Sequence, residues 1–267
     1  MIPKRSLGKT GVEVAILGLG GEGILRSFGH EKEAKLLITR AVELGINYLE
    51  SARAYSGSEA YYGGALKERR KDIFLASKSH ARTKKEASAH LSQTLKNMKT
   101  DYLDLWQVHD VRTEEEIEQI FSAQGAIEAF RDAKNKGIVR FIGVTGHHDP
   151  HIIKKCLDIF DFDTVLIPVN PAEPAYMDFI SGVIPLANKK GIGIMGMKVW
   201  VYTGVPREGA LPLRPQPSHI NRCHRVRQYS STRRERINGK IFLPSQRRKD
   251  DGTYRLPLHS CKRTHVL

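Results

Sequence analysis

DIFLASKSHARTKKEASAHLSQTLKNMKTDYLDLWQVH, residues 72–109, is the stretch on which the fold turns. A strand-sized run, DIFLASK (72–78), leads through a longer segment of helical period, TKKEASAHLSQTLKNMK (83–99), into a second run, YLDLWQVH (102–109). The same alternation extends in both directions. Further strands are expected at VAILGLG (14–20), NYLES (47–51), RFIGVTG (140–146), FDTVLIPVN (162–170) and GIGIMGMKVW (191–200). Helices are expected at EKEAKLLITRAVELG, SEAYYGGALKERR, TEEEIEQIFSAQGAIEAFRDAKNKG with Thr113 as N-cap, DPHIIKKCLDIF and SGVIPLANKKG. Strict alternation means parallel strands joined by right-handed crossovers, in an open doubly wound sheet or a (β/α)8 barrel. Polar residues end many of the strands: Glu50, Lys78, His109, Thr145 and Asn170. An open sheet gathers its polar groups at one switch point, so this spread favours the barrel. GLGGEG (18–23) is a weak dinucleotide signal, because no helix begins directly behind it.

The chain has 267 residues, and its +14 net charge is unevenly placed. From Leu211 onward there are 14 Lys and Arg against 3 Asp and Glu, with no Ala, Met or Trp; the first 210 residues are nearly balanced. A boundary therefore falls near Ala210, between a barrel domain (1–210) and a basic tail (211–267). RPQPSHINRCHRVRQYSSTRRERINGK carries neither helical nor strand period, and only GKIFLP (239–244) reads as a short strand. Such a change is what reading a gene out of frame produces, a hypothesis that resequencing across the codons for Gly209 to Arg214 decides. On this reading only seven strands are present, the barrel is incomplete, and its first and seventh strands are open edges. The clusters TRRER and QRRK give the tail an affinity for polyanions, with nucleic-acid binding as an alternative function. No run of about twenty apolar residues is present and the N-terminus lacks the pattern of a signal peptide, so a cytoplasmic protein is expected. Three scattered cysteines, Cys156, Cys223 and Cys261, suggest neither a disulfide framework nor a zinc site.

RSLGKTGVEVAILGLGGEG, GINYLESARAYSGSEAYYGGAL, DIFLASK, DYLDLWQVH, GIVRFIGVTGH and GIGIMGMKV, in that order and spacing, resemble the aldo-keto reductases over residues 5–211. The resemblance implies a (β/α)8 barrel closed at its base by an N-terminal β-hairpin, roughly Lys4 to Ala15. It also implies hydride transfer between NADPH and a small carbonyl substrate. The family's catalytic Asp, Tyr, Lys and His fall on Glu50, Tyr55, Lys78 and His109. Reduction of a carbonyl leaves an alkoxide to be protonated, and a phenol with pKa about 10 needs help to serve near neutrality. Lys78 beside Tyr55 would stabilise the phenolate, the carboxylate would hold the lysine charged, and His109 would orient the carbonyl oxygen. Glu in place of Asp moves the carboxylate by one methylene, about 1.5 Å, a displacement that can cost about 100-fold in rate. A cofactor-binding barrel without turnover is therefore a second reading.

For the cofactor, the resemblance points to Gly20, Gly21 and Glu22 after the first strand and to Gly196, Met197, Lys198 and Val199 after the seventh. Where the family offers Ser-Asn to the carboxamide this chain has Thr145 and Gly146. Leu166 stands where a Gln is frequent, with Asn170 nearby. The family's eighth strand and 2′-phosphate-binding segment are not recognisable. HHDPH (147–151) reads as a polar loop with Pro150 opening a helix, and no metal site is expected, because no Cys or paired carboxylate accompanies the histidines at ligand spacing.

Overall fold

The computed structural model describes residues 2–171, 174, 177–199 and 220–224, and for 24 and 220–224 the backbone only. Chain contacts divide the protein into Met1–Gln228, which holds every described residue, and Tyr229–Leu267. The tail clusters and GKIFLP lie outside the described residues.

The hairpin comes first, β1 (Lys4–Ser6) against β2 (Glu13–Ala15), with Arg5 opposite Val14. Seven parallel strands follow: β3 (Leu17–Gly20), β4 (Tyr48–Glu50), β5 (Phe74–Ser79), β6 (Leu103–Val108), β7 (Val139–Thr145), β8 (Thr164–Pro168) and β9 (Gly193–Met197). VAILGLG is thus two elements, its first residues completing the hairpin and its last four entering the barrel. Helices α1 (Glu31–Glu43), α2 (Ser58–Leu66), α3 (Lys84–Met98), α4 (Glu114–Phe121), α5 (Ala126–Asn135), α6 (Pro150–Ile159), α7 (Phe179–Gly182) and α8 (Ile184–Lys189) occupy the crossovers. Thr113 caps α4, its side chain accepting from Glu116 N, and Asp149 caps α6 with Pro150 in the first turn. The single helix expected over 113–137 is broken. Ser122 and Gly125 are extended, and hydrogen bonds from Lys84 N to Gln124 O (2.8 Å) and from Ala126 N to Arg82 O (2.9 Å) tie the break to the loop after β5.

An eighth strand closes the barrel, which corrects the expectation of open edges. β10 (Ile220–His224) pairs in parallel with β9 through Ile220 opposite Ile194, and with β3 through Cys223 opposite Gly18. INRCH has no alternation of apolar and polar residues to announce a strand. Its pairing uses backbone groups that any sequence carries, offered to it by two sheet edges.

Strand periodicity explains what fills the barrel. Every second side chain points inward, and Tyr48, Phe74, Ala76, Leu105, Leu166 and Met195 form an inner cluster with Leu7 and Val14. Leu7, fully buried just after β1, plugs the end at which the strands begin. The outer cluster packs helices against strands, with Trp106 of β6 stacked on Phe130 of α5. The inward phase that begins at Tyr48, Phe74 and Leu105 brings Glu50, Lys78, Gln107 and His109 to the inside at the other end. The chemistry follows from strand register.

Candidate active site

A cavity of about 760 Å³ opens at the C-terminal ends of the strands. Glu50, Tyr55, Lys78 and His109 all line it, as do Gly20, Gly21, Glu22, Thr145, Met197 and Lys198. Asn170, Gly196 and Val199 are buried but are not on its wall.

Lys78 and Glu50 form an ion pair of 2.6 Å, with both side chains at least 95% buried. The register places Glu50 beside Ala76 and Lys78 beside Gln107, so these side chains meet across adjacent strands. The longer side chain of Glu50 still reaches the lysine, and its other oxygen accepts from Tyr48 OH (2.9 Å) and Gln107 Nε2 (3.2 Å). The Lys78 ammonium also donates to Ser51 O at 2.9 Å. A buried carboxylate is thus supplied with donors on both oxygens, which offsets the cost of taking it out of water. Removing one partner reverses that balance. Lys78→Met leaves Glu50 buried with only neutral donors and is expected to destabilise the protein by about 3–5 kcal/mol. Lys78→Met with Glu50→Gln should recover most of that loss, a difference that urea denaturation of the two variants measures.

Tyr55 sits in the loop between β4 and α2. The Lys78 Nζ lies 4.7 Å from the centre of its ring, and the His109 ring meets it edge-on with centroids 5.8 Å apart. The four residues expected to act together are therefore in one place. Behind the loop, the buried Glu59 accepts from Ser77 Oγ (2.9 Å), Thr94 Oγ1 (2.7 Å), Asn97 Nδ2 (2.9 Å) and Arg53 Nη1 (2.6 Å). This network joins α2, α3 and β5 and anchors the chain two residues before Tyr55.

Burial, with Lys78, His80, Arg82 and His147 adding to it, pushes the His109 imidazole down to a pKa of about 2. It is neutral throughout the ordinary pH range. An unfolded histidine takes up a proton near pH 6.5 while the folded one refuses it, so folding stability is full above that pH and falls as pH drops toward 2. His80, His90 and His147, also lowered chiefly by burial, act in the same direction. His109→Asn should flatten the loss below pH 6.5 by up to about 1.4 kcal/mol per pH unit, read from chemical denaturation of both proteins at several pH values.

Thr145 is fully buried, and its hydroxyl oxygen accepts from Asp110 N at 2.8 Å, leaving the hydroxyl proton to donate elsewhere. A side chain at Gly146 would run into Ile153 Cδ1 and Val111 O, which is why an asparagine has no room there. Gly21 has a packing reason as well, since a Cβ there would collide with Ser58 Oγ and Glu50 O. Leu166 belongs to the inner apolar cluster and offers no polar group to a ligand.

The cavity also holds residues that the sequence did not single out. Arg26, His80, Arg82, Asp110, Arg112 and Glu116 line it. Arg82 donates to His109 O and Asp110 O and pairs with Glu116 at 3.1 Å, locking the loop that carries His109. Strand-end position was the only available signal for these, and most lie a few residues beyond it. Cys156 is buried and its thiol is pushed up to about 12 by burial, so it is not a nucleophile. Asp110, His147 and His148 approach one another closely enough to hold a cation. The acid comes from a different strand end than the histidines, so spacing along the chain does not show it.

Residues 16–221 match the sequence model of the Aldo/keto reductase family. An uncharacterized oxidoreductase of Bacillus subtilis, YqkF, is 34% identical over 167 residues, 57% of this chain and 51% of that protein. The L-galactose dehydrogenase of Arabidopsis thaliana is 28% identical over 219 residues, 73% of this chain and 64% of that protein. The chain thus spans about half to two-thirds of the length of these curated relatives. Among solved structures, the holo form of aldo-keto reductase AKR11C1 from Bacillus halodurans is 28% identical with a TM-score of 0.61, covering 73% of this chain and 66% of that one. Among the described residues no helix is long and apolar enough to cross a membrane.

Proposed function

The chain belongs to the aldo/keto reductase family, and from that premise we propose that it reduces the carbonyl of an aldehyde or ketone to an alcohol with NADPH. The observation that carries the reading is the buried Lys78–Glu50 pair set beneath Tyr55, beside a neutral His109. When bound, the nicotinamide supplies the hydride that turns the carbonyl carbon into that of an alkoxide.

The cavity fits such a cofactor in volume and in lining. Gly20 and Gly21 offer a wall without bulk, Thr145 offers a hydroxyl donor, and Lys198 together with Arg26, which is paired with Glu22, offers charge for phosphates. Tyr55 Oη holds the proton destined for the alkoxide oxygen. The Lys78 ammonium stabilises the negative charge that the phenol oxygen acquires as it gives that proton up, and Glu50 keeps the ammonium in place. A histidine with so low a pKa holds no proton to spare at neutral pH, so the acid role falls to Tyr55. His109 retains one N–H, with which it orients the carbonyl oxygen. The substrate expected is a small carbonyl compound.

Titration of the protein with NADPH, followed by nicotinamide fluorescence, tests the cofactor half of the proposal. Saturable binding at micromolar concentration is expected; an absence of binding to both NADPH and NADH would remove it. Binding without turnover of any aldehyde would instead favour the cofactor-binding barrel without turnover.

A further inference from the structure

Independently of the proposed reduction, we infer that Asp110, His147 and His148 form a binding site for a divalent first-row transition ion such as Zn²⁺. Two strand ends build it. Asp110 follows β6 and His147 and His148 follow β7, and the register of these neighbouring strands, Val108 opposite Val144, puts them side by side. Asp110 Oδ1 lies 3.2 Å from His147 Nε2 and 3.6 Å from His148 Nε2. An ion bound tetrahedrally at about 2.0–2.1 Å spaces its ligand atoms about 3.3 Å apart, which these distances bracket.

The polar atoms themselves point to a ligand. The Asp110 side chain is 12% exposed, yet its Oδ1 makes no hydrogen bond, and neither does His148 Nε2. An orphaned, buried carboxylate oxygen between two imidazole nitrogens is costly unless something joins them. The second carboxylate oxygen is fixed by Arg112, whose Nε and Nη2 donate at 2.8 and 2.6 Å. Asp110 is held in the left-handed region, φ 57°, by Thr145 Oγ1 on its N–H and Arg82 on its carbonyl. Outer contacts of this kind orient a metal-binding carboxylate. Asp110 and His147 line the cavity, so three protein ligands leave the ion a coordination position that water or a ligand in the cavity would take. Two cations oppose the ion: Arg112, and Lys198, whose Nζ lies 3.3 Å from His147 Nδ1. Lys198 is exposed, so its charge is screened by water.

Calorimetric titration of chelator-treated full-length protein with Zn²⁺ alone tests the site, with His148→Ala as the decisive variant because that side chain is 43% exposed and its removal does not threaten the fold. The native protein is expected to bind one Zn²⁺ that His148→Ala and Asp110→Asn each weaken at least tenfold, while Lys198→Gln tightens it. Co²⁺ in the same protein should give the visible absorption of a tetrahedral nitrogen and oxygen site. Equal stoichiometry and affinity in the native protein and His148→Ala would overturn the inference, since any other histidines or cysteines would then account for the binding. The nicotinamide titration is run without metal, so either result can fail while the other stands.

Discussion

Tyr55→Phe is expected to lower kcat by about 100- to 10,000-fold, the range associated with loss of a positioned general acid, while NADPH binding stays within a few-fold of native. The ring of Tyr55 packs beside Lys78 and His109, contacts that a phenylalanine ring can also make. Phenylalanine therefore keeps the ring and removes the hydroxyl that carries the proton. No neighbour can replace the acid. His109 is neutral near neutral pH, and Lys78 is committed to Glu50 and Ser51 O. The parallel change His109→Asn should act differently, raising KM more than it lowers kcat, because an amide still donates a hydrogen bond but no longer fits the same wall. Steady-state kinetics of both variants separate the two roles. Native turnover in Tyr55→Phe would remove the proposed chemistry.

A chain ending at Ala210 is expected to lose cooperative unfolding altogether, whereas one ending at Gln228 should unfold as the full chain does. The shorter chain lacks β10, so β9 and β3 both present unpaired backbone groups and the barrel is opened along one side. The longer one keeps the strand and drops only the separate unit Tyr229–Leu267. Thermal unfolding followed by circular dichroism distinguishes them. Equal, cooperative transitions in both would show that the Ile220–His224 pairing contributes nothing to the fold.

The barrel was legible because its strands are continuous apolar runs and its helices carry their own caps, such as Thr113 and the Asp149–Pro150 pair. The location of Glu50, Lys78 and His109 was legible for a related reason: each follows interior residues at a spacing of two. What escaped depends on neighbours distant in sequence. INRCH is a strand because two edges await it. The break between α4 and α5 is imposed by the loop at Arg82 and Lys84. Glu50 tolerates its extra methylene because Tyr48 and Gln107 secure its second oxygen, a compensation invisible in the single substitution. Asp110 lies 37 residues before His147, so no local spacing could have joined them. The tail accounts for most of the net charge, and the cavity holds its cations in pairs, Arg112 with Asp110 and Arg82 with Glu116.

The most direct test of the central claim is transfer of deuterium from a deuterated nicotinamide of NADPH to the carbonyl carbon of an aldehyde, followed by mass spectrometry of the alcohol. With native protein, one deuterium should appear in the alcohol for each NADPH consumed, and the product should vanish with Tyr55→Phe. Alcohol formed without the label, or label transferred equally well by the Tyr55→Phe protein, would contradict the account.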